Sequence, residues 1–275
     1  MTAGVAPDRV PDASALRGVV VAAHPGPALA VTVLVGLLVL AQGLAAGRGI
    51  LVVAAVLAGQ LSIGWSNDLV DRARDRTAGR TDKPLATGAA SVTAVRVACL
   101  GAVAACIPLS VALGPRAGLL HLVCTASGWA YNLGLKATVW SWVPYAVTFG
   151  GLTAVVTLAD GEAPPWWWPV AAALLGVGAH LLNVLPDLDD DAATGVRGLP
   201  HRLGRGRIAP VAAAVLVAAS AVALVGAAPP IPVAVGVGVV VLVLGAVVVR
   251  SRGRTPFVAA VAVALVDALL LVVAR

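Results

Sequence analysis

Two stretches of this sequence carry the same chemical pattern. One reads Asn67-Asp68-Leu69-Val70-Asp71-Arg72-Ala73-Arg74-Asp75, the other Asn183-Val184-Leu185-Pro186-Asp187-Leu188-Asp189-Asp190-Asp191. Aligned, they superimpose an amide and two carboxylates at intervals of four: Asn67, Asp71 and Asp75 on Asn183, Asp187 and Asp191. Residues four apart share one face of a helix, so each stretch is expected to present these groups as a single row. Carboxylates held a few ångströms apart raise one another's pKa and resist joint ionisation. A divalent cation relieves that repulsion, and Mg²⁺ takes one or two carboxylates together with the phosphate oxygens of a substrate. Two such rows facing each other would hold Mg²⁺ and a diphosphate between them. A solvated acidic loop is the plain alternative for either row alone. A matched pair, each closing an apolar stretch, is not what solvated loops produce.

The elements that position these rows are read from hydropathy. Of the 275 residues, 60% are hydrophobic and 12% charged, about half the charge fraction of a soluble domain. The apolar residues fall in blocks, and about 20 of them suffice to cross a bilayer. Breaks at charges, Pro and Gly mark nine spans, near 26–46, 50–66, 90–112, 117–132, 138–158, 166–186, 209–227, 230–249 and 256–274. The Ala-, Gly- and Val-rich spans suit close helix packing. The acidic rows fall in the two longer polar segments, between spans two and three and between spans six and seven. Eight of the 13 acidic residues lie there: Asp68, Asp71, Asp75, Asp82, Asp187, Asp189, Asp190 and Asp191.

Lys and Arg set the orientation. With the N-terminus inside, the inner segments hold Arg9, Arg17, Arg72, Arg74, Arg76, Arg80, Lys83, Lys136, Arg197, Arg202, Arg205, Arg207, Arg250, Arg252 and Arg254. The outer side holds only Arg48, Arg116 and Arg275, so the positive-inside rule puts the N-terminus and both acidic segments in the cytoplasm. The net charge of +6 therefore reads as topology rather than nucleic-acid binding. Residues 1–15 are polar and contain Pro, which reads as a short cytoplasmic tail and not a signal peptide. Cys99, Cys106 and Cys124 lie in apolar stretches without a C-x-x-C pair, as small buried hydrophobes do. Trp166, Trp167 and Trp168, after Pro164-Pro165, read as an interfacial aromatic belt. The Ala- and Val-rich composition suits a GC-rich bacterial genome, and hence the bacterial inner membrane.

These residues resemble a known family, the UbiA superfamily of membrane prenyltransferases. Asn67-Asp68-x-x-Asp71-x-x-x-Asp75, followed by Arg80-Thr81-Asp82-Lys83-Pro84-Leu85 and Gly88, is similar to its first signature. Asp187-x-x-x-Asp191, running on to Leu203-Gly204, is similar to its second, and Tyr131-Asn132-Leu133-Gly134-Leu135-Lys136 resembles the family's Tyr and Lys between helices four and five. The resemblance covers nearly the whole chain. It implies an all-α membrane bundle of nine helices around a central cavity, with residues 1–20 as cytoplasmic tail and 21–275 as one membrane domain.

It further implies Mg²⁺-dependent transfer of a prenyl group from a polyprenyl diphosphate to an aromatic or other lipophilic acceptor. By position, Asp68, Asp71, Asp75, Asp187 and Asp191 become metal ligands. Asn67, Arg80, Lys83 and Asn183 bind diphosphate, and Asp71, Asp191, Tyr131 and Lys136 serve catalysis. Lys83 stands where many members have Arg, keeping the charge but losing the bidentate fork.

Trp65, Trp129, Tyr131 and Tyr145 are aromatic faces that can shield a cation. His180, three residues before Asn183, shares its helix face and is a candidate acceptor contact, while Asp267 inside the last span has no assigned role. A membrane terpene cyclase acting on the diphosphate alone would use the same metal site, and no motif separates it from a transferase. A transporter would place its ionisable groups near the bilayer midplane, whereas these rows close the inner ends of spans.

Overall fold

The computed structural model describes residues 13–273, and among them every regular element is helical. The first helix, α1 (Ala13–Ala22), is followed by α2 (Pro25–Gln42), α3 (Ala46–Thr77), the short α4 (Pro84–Thr87), α5 (Val92–Ala112) and α6 (Pro115–Asn132). A 3₁₀ turn (Leu135–Ala137) leads to α7 (Val143–Ala159) and α8 (Trp167–Val184). Two short helices, α9 (Leu188–Ala193) and α10 (Leu199–Leu203), precede α11 (Arg205–Ala227), α12 (Ile231–Arg250) and α13 (Thr255–Val273). Each of the nine expected spans falls on one of the longer helices. Six of these, α2, α3, α5, α8, α11 and α12, are long and apolar enough to cross a membrane; α7 and α13 are apolar but shorter in their qualifying stretch.

The long helices close into a ring. In order, α3 packs on α5, α5 on α6, α6 on α7, α7 on α8, α8 on α11, α11 on α12, α12 on α13, and α13 returns to α2, which packs on α3. Two apolar cores fill it, one around Leu181, Ile208, Leu216 and Val263, the other around Val35, Val52, Val155 and Val156. Large apolar side chains such as Leu40, Val225, Ile231 and Leu242 point outward, as lipid-facing positions do. Cys99, Cys106 and Cys124 are buried and free, in line with the sequence reading.

Several expectations on local structure are corrected. The helix of the second span does not stop with the apolar stretch near residue 66: α3 runs unbroken for 32 residues to Thr77 and carries the first acidic row with it. No Pro or Gly interrupts residues 65–78, so nothing stops the helix before Gly79 turns left-handed at φ 64. The second row is not one helix. Pro186, which has no N–H to bond and clashes with the carbonyl four residues back, ends α8 at Val184, and α9 restarts at Leu188 after a turn. Residues 13–20 are not a free tail, because α1 docks on α3, α4 and α5, with Ala22 buried against Leu85, Ala90 and Val95. The rest of the expected tail, including Arg9, and Arg275 at the other end lie outside the described residues. Of the three tryptophans taken as a belt, Trp166 is exposed, but Trp168 is buried and Trp167 packs into the core.

Candidate active site

The first acidic row is held by α3 alone. Asp68, Asp71 and Asp75 are all at least 95% buried. Three carboxylates this close and this dry need cations, and each finds one. Lys136, on the 3₁₀ turn after α6, brings its Nζ to 2.5 Å from Asp71 Oδ1 and 2.6 Å from Oδ2. Arg74 donates to Asp71 Oδ2 at 2.9 Å, and its guanidinium lies 3.9 Å from Asp75. Asn67 Nδ2 donates to the same Asp71 oxygen at 3.2 Å, a contact its spacing of four allows. Asp68 lies off the row and faces α2: Lys83 Nζ donates to its Oδ1 at 2.8 Å, and His24 Nε2 sits 2.7 Å from the same atom. Asp68 Oδ2 is buried without a partner.

The second row meets the first through arginines. Arg74 reaches from Asp71 to within 3.9 Å of Asp191 Oδ1. Arg80, in the loop between α3 and α4, is gripped by Asp82 at 2.8 and 2.9 Å and donates to Asp187 Oδ1 at 3.0 Å. The four row carboxylates and Asp68 therefore share one basin with Lys83, Lys136, Arg74 and Arg80. Asn183 does not join them. It is exposed and donates to the Tyr145 hydroxyl at 3.4 Å, whereas its counterpart Asn67 bonds its row.

Electrostatics follow burial and partners. Burial pulls Lys136 below its ordinary value, with Asp71 opposing. Burial raises the Asp191 carboxyl, and Arg74 works against that rise. The hydrogen bonds from Arg80 hold Asp82 down at about 2 and raise the guanidinium in return. Asp71 thus offsets the burial of Lys136, as Arg74 offsets that of Asp191.

An aromatic wall flanks the basin. The Tyr131 and Tyr145 rings meet edge to face at 5.4 Å, and His180 packs 4.8 Å from Tyr145 and 5.8 Å from Tyr131. His180 is fixed by Ser141, whose Oγ lies 3.0 Å from His180 Nε2 and accepts from the Leu199 N–H. Gly198 permits this contact, since a Cβ there would collide with the Lys136 carbonyl. The other two aromatic candidates serve packing: Trp65 donates to the Val19 carbonyl and Trp129 to Ser62.

Two residues of the basin carried no sequence signal. His24 contacts Asp68 and Lys83 from a left-handed turn (φ 53) between α1 and α2. It gets there because Gly64 lets α3 pass directly against the Ala23 carbonyl, where a Cβ would clash. Asn132 is buried, accepts from Asn67 at 3.2 Å and donates to Ile63 O and Ser66 Oγ, which locks the Asn67 amide. It sits beside Tyr131 in the quoted stretch, but spacing alone gives no reason to single it out.

Among the described residues, no three His, Cys, Asp or Glu side chains converge as a ready metal cage. The donor chemistry nevertheless suits Mg²⁺, which binds hard oxygens and uses few protein ligands besides substrate phosphates. The set is all carboxylate oxygen, it comes from two facing elements, and Asp68 Oδ2 is left without a partner.

A sequence model of the UbiA prenyltransferase family matches residues 29–270. The chain belongs to this family. No curated protein matches it by sequence. Among solved structures, this UbiA chain is similar to a UbiA homolog from Archaeoglobus fulgidus bound to DMAPP and Mg²⁺, 17% identical with a TM-score of 0.70 over 93% of this chain and 99% of that one. A UbiA homolog from Aeropyrum pernix K1 without ligand is 19% identical, with a TM-score of 0.74 over 94% and 98% of the two chains. A structure of digeranylgeranylglyceryl phosphate synthase is 14% identical, with a TM-score of 0.65 over 94% and 97%. At these identities the likeness is one of fold, and it establishes the UbiA bundle for this chain.

Proposed function

We propose that this protein transfers a prenyl group from a Mg²⁺-bound prenyl diphosphate to a lipophilic acceptor. The observation that carries this reading is the bridging of the two acidic rows: Arg74 spans Asp71 and Asp191, and Arg80 reaches Asp187 from the loop that follows the first row. Asp68, Asp71, Asp75, Asp187 and Asp191 are the residues to hold Mg²⁺, which when bound supplies positive charge to the diphosphate leaving group. A. fulgidus UbiA homologs bound to DMAPP or GPP together with Mg²⁺ support the same chemistry here.

In this reading the basic side chains hand over their partners as substrate arrives. Lys136, Arg74, Arg80 and Lys83 neutralise carboxylates in the free protein and turn to diphosphate oxygens in the complex, with Asn67 as an amide donor. The C1–O bond breaks, its electron pair leaves with the diphosphate, and C1 becomes an allylic cation. Tyr131 and Tyr145 offer ring faces to that cation. The acceptor's nucleophilic atom forms the new bond to C1 and sheds its proton. Preorganised charge in a water-poor site is the main source of rate. Nine membrane crossings with the N-terminus and both rows in the cytoplasm of a bacterial inner membrane complete the reading, on the fifteen-to-three distribution of Lys and Arg.

The test is product analysis. Purified protein is incubated with isotope-labelled prenyl diphosphates of several lengths, Mg²⁺ and a panel of aromatic and lipid-alcohol acceptors. A prenylated acceptor is expected in the mass spectrum, and it disappears with EDTA. Cyclised hydrocarbon formed without any acceptor would replace the transferase reading by a cyclase. Absence of diphosphate release from every donor would end both.

A further inference from the structure

Away from the acidic basin, in the half of the bundle that holds Trp166 to Trp168, lies a cavity of about 70 Å³. Its wall is apolar, built by Val35 of α2, Phe149 of α7, and Trp167, Trp168 and Leu175 of α8, with one acidic residue, Asp267 of α13. At a rise of 1.5 Å per residue, Leu175 and Trp168 are roughly 12 and 22 Å along α8 from Asn183. The cavity is thus distinct from the diphosphate basin, and nothing in the proposed reaction uses Asp267.

Asp267 is 4% exposed. Ser220 of α11 donates to its Oδ2 at 2.9 Å, and its Oδ1 is buried with no partner. Among the described residues no cation stands within ion-pair distance of it. A bare carboxylate among apolar groups is costly, which favours the neutral acid at this position. With Oδ2 accepting from Ser220, the acid proton belongs on Oδ1. Asp267 is the one acid in the cavity's otherwise oily wall, and its unpartnered Oδ1 lies closed off within that wall. Such a site selects a ligand by a single hydrogen bond, because a ligand lacking the matching acceptor leaves the donor unsatisfied.

We propose that this cavity is a binding site for a neutral lipophilic molecule bearing one hydrogen-bond-accepting oxygen, a ketone, quinone or ether, held by Asp267 Oδ1–H. The site is independent of the prenyl-transfer reading, and its test uses no prenyl substrate. Cyclohexanone and methylcyclohexane serve as probes of similar size that differ in the oxygen. Each is titrated into the purified protein in detergent, with the thermal unfolding midpoint and the infrared carbonyl band of the ketone as readouts.

Cyclohexanone is expected to raise the midpoint saturably and to bind roughly tenfold more tightly than methylcyclohexane. Its carbonyl band should show a bound component at lower frequency. Asp267→Leu keeps the shape and removes the donor, so the preference and the shifted band should vanish. Asp267→Asn restores an N–H donor and should keep both. Equal binding of the two probes to the unaltered protein would overturn the proposal, as would no saturable binding of either. A ketone preference that survives Asp267→Leu would do the same. The comparison of probes on the unaltered chain stands even where a variant fails to fold.

Discussion

The two acidic rows have matching sequence spacing and unlike structures. The first is one face of an unbroken helix, with Asp71 and Asp75 buried against Lys136 and Arg74, and Asp68 buried beside the row against Lys83. The second is divided by Pro186, with Asp187 in a turn, 42% exposed at the side chain, and Asp191 on a separate short helix. Equal spacing therefore does not mean equal rigidity. Removing one partner of a buried pair strands the other charge, whereas a half-exposed pair loses little. The first row is part of the scaffold, whereas the second is tied to it more loosely.

The strongest way to break this contrast is to neutralise one carboxylate on each side. Asp71→Asn leaves Lys136 buried and unpaired, and is expected to lower unfolding stability by about 3 kcal/mol and turnover by roughly a thousandfold. Asp187→Asn should cut turnover by roughly a hundredfold while changing stability by less than about 0.5 kcal/mol. Product assays and thermal unfolding in detergent read both. Equal losses of stability would erase the distinction between the rows.

A subtler change repairs the break. Pro186→Ala allows α8 to continue into α9, carrying Asp187 onto a regular helix. Turnover is expected to fall about tenfold through misplacement of that carboxylate, with stability unchanged or higher. Unaltered kcat/KM for the prenyl diphosphate would mean the turn at Pro186 has no part in positioning.

The smallest effect concerns the link between the rows. Arg80 holds the Asp82 carboxyl at about 2, below its value in an unfolded chain near 3.9. A depressed acid contributes stability above the unfolded pKa and loses it as pH falls through the folded one. Asp82→Asn should therefore cost less than about 1 kcal/mol near neutrality, since the side chain is half exposed. The gap to the parent protein should close between pH 4 and pH 2. A gap that widened in acid would contradict the pairing.

What the sequence reveals and hides follows the same physical division. Asn67, Asp71 and Asp75 are legible because helical periodicity needs only neighbours along the chain. The second row has the same period, but its local stop signal, Pro186, outweighs it. Lys136 and Tyr131 are found through family resemblance, since the Lys136–Asp71 contact spans 65 positions. His24 and Asn132 are invisible to spacing: one depends on how closely Gly64 lets α3 approach, the other on a three-way hydrogen bond across α3 and α6. The apolar blocks foretell the long helices, but not that α1 folds down onto them.

The length of α3 has one more consequence. Thirty-two residues extend about 48 Å, against about 30 Å of hydrocarbon. If Ala46 marks one edge of the oily slab, the helix emerges from the other near Asn67, where the first row starts. In the proposed reaction, a substrate split there would keep its greasy part below the waterline and its polyanion above. The pyrophosphate would then leave straight into water, and no multiply charged species would have to traverse oil.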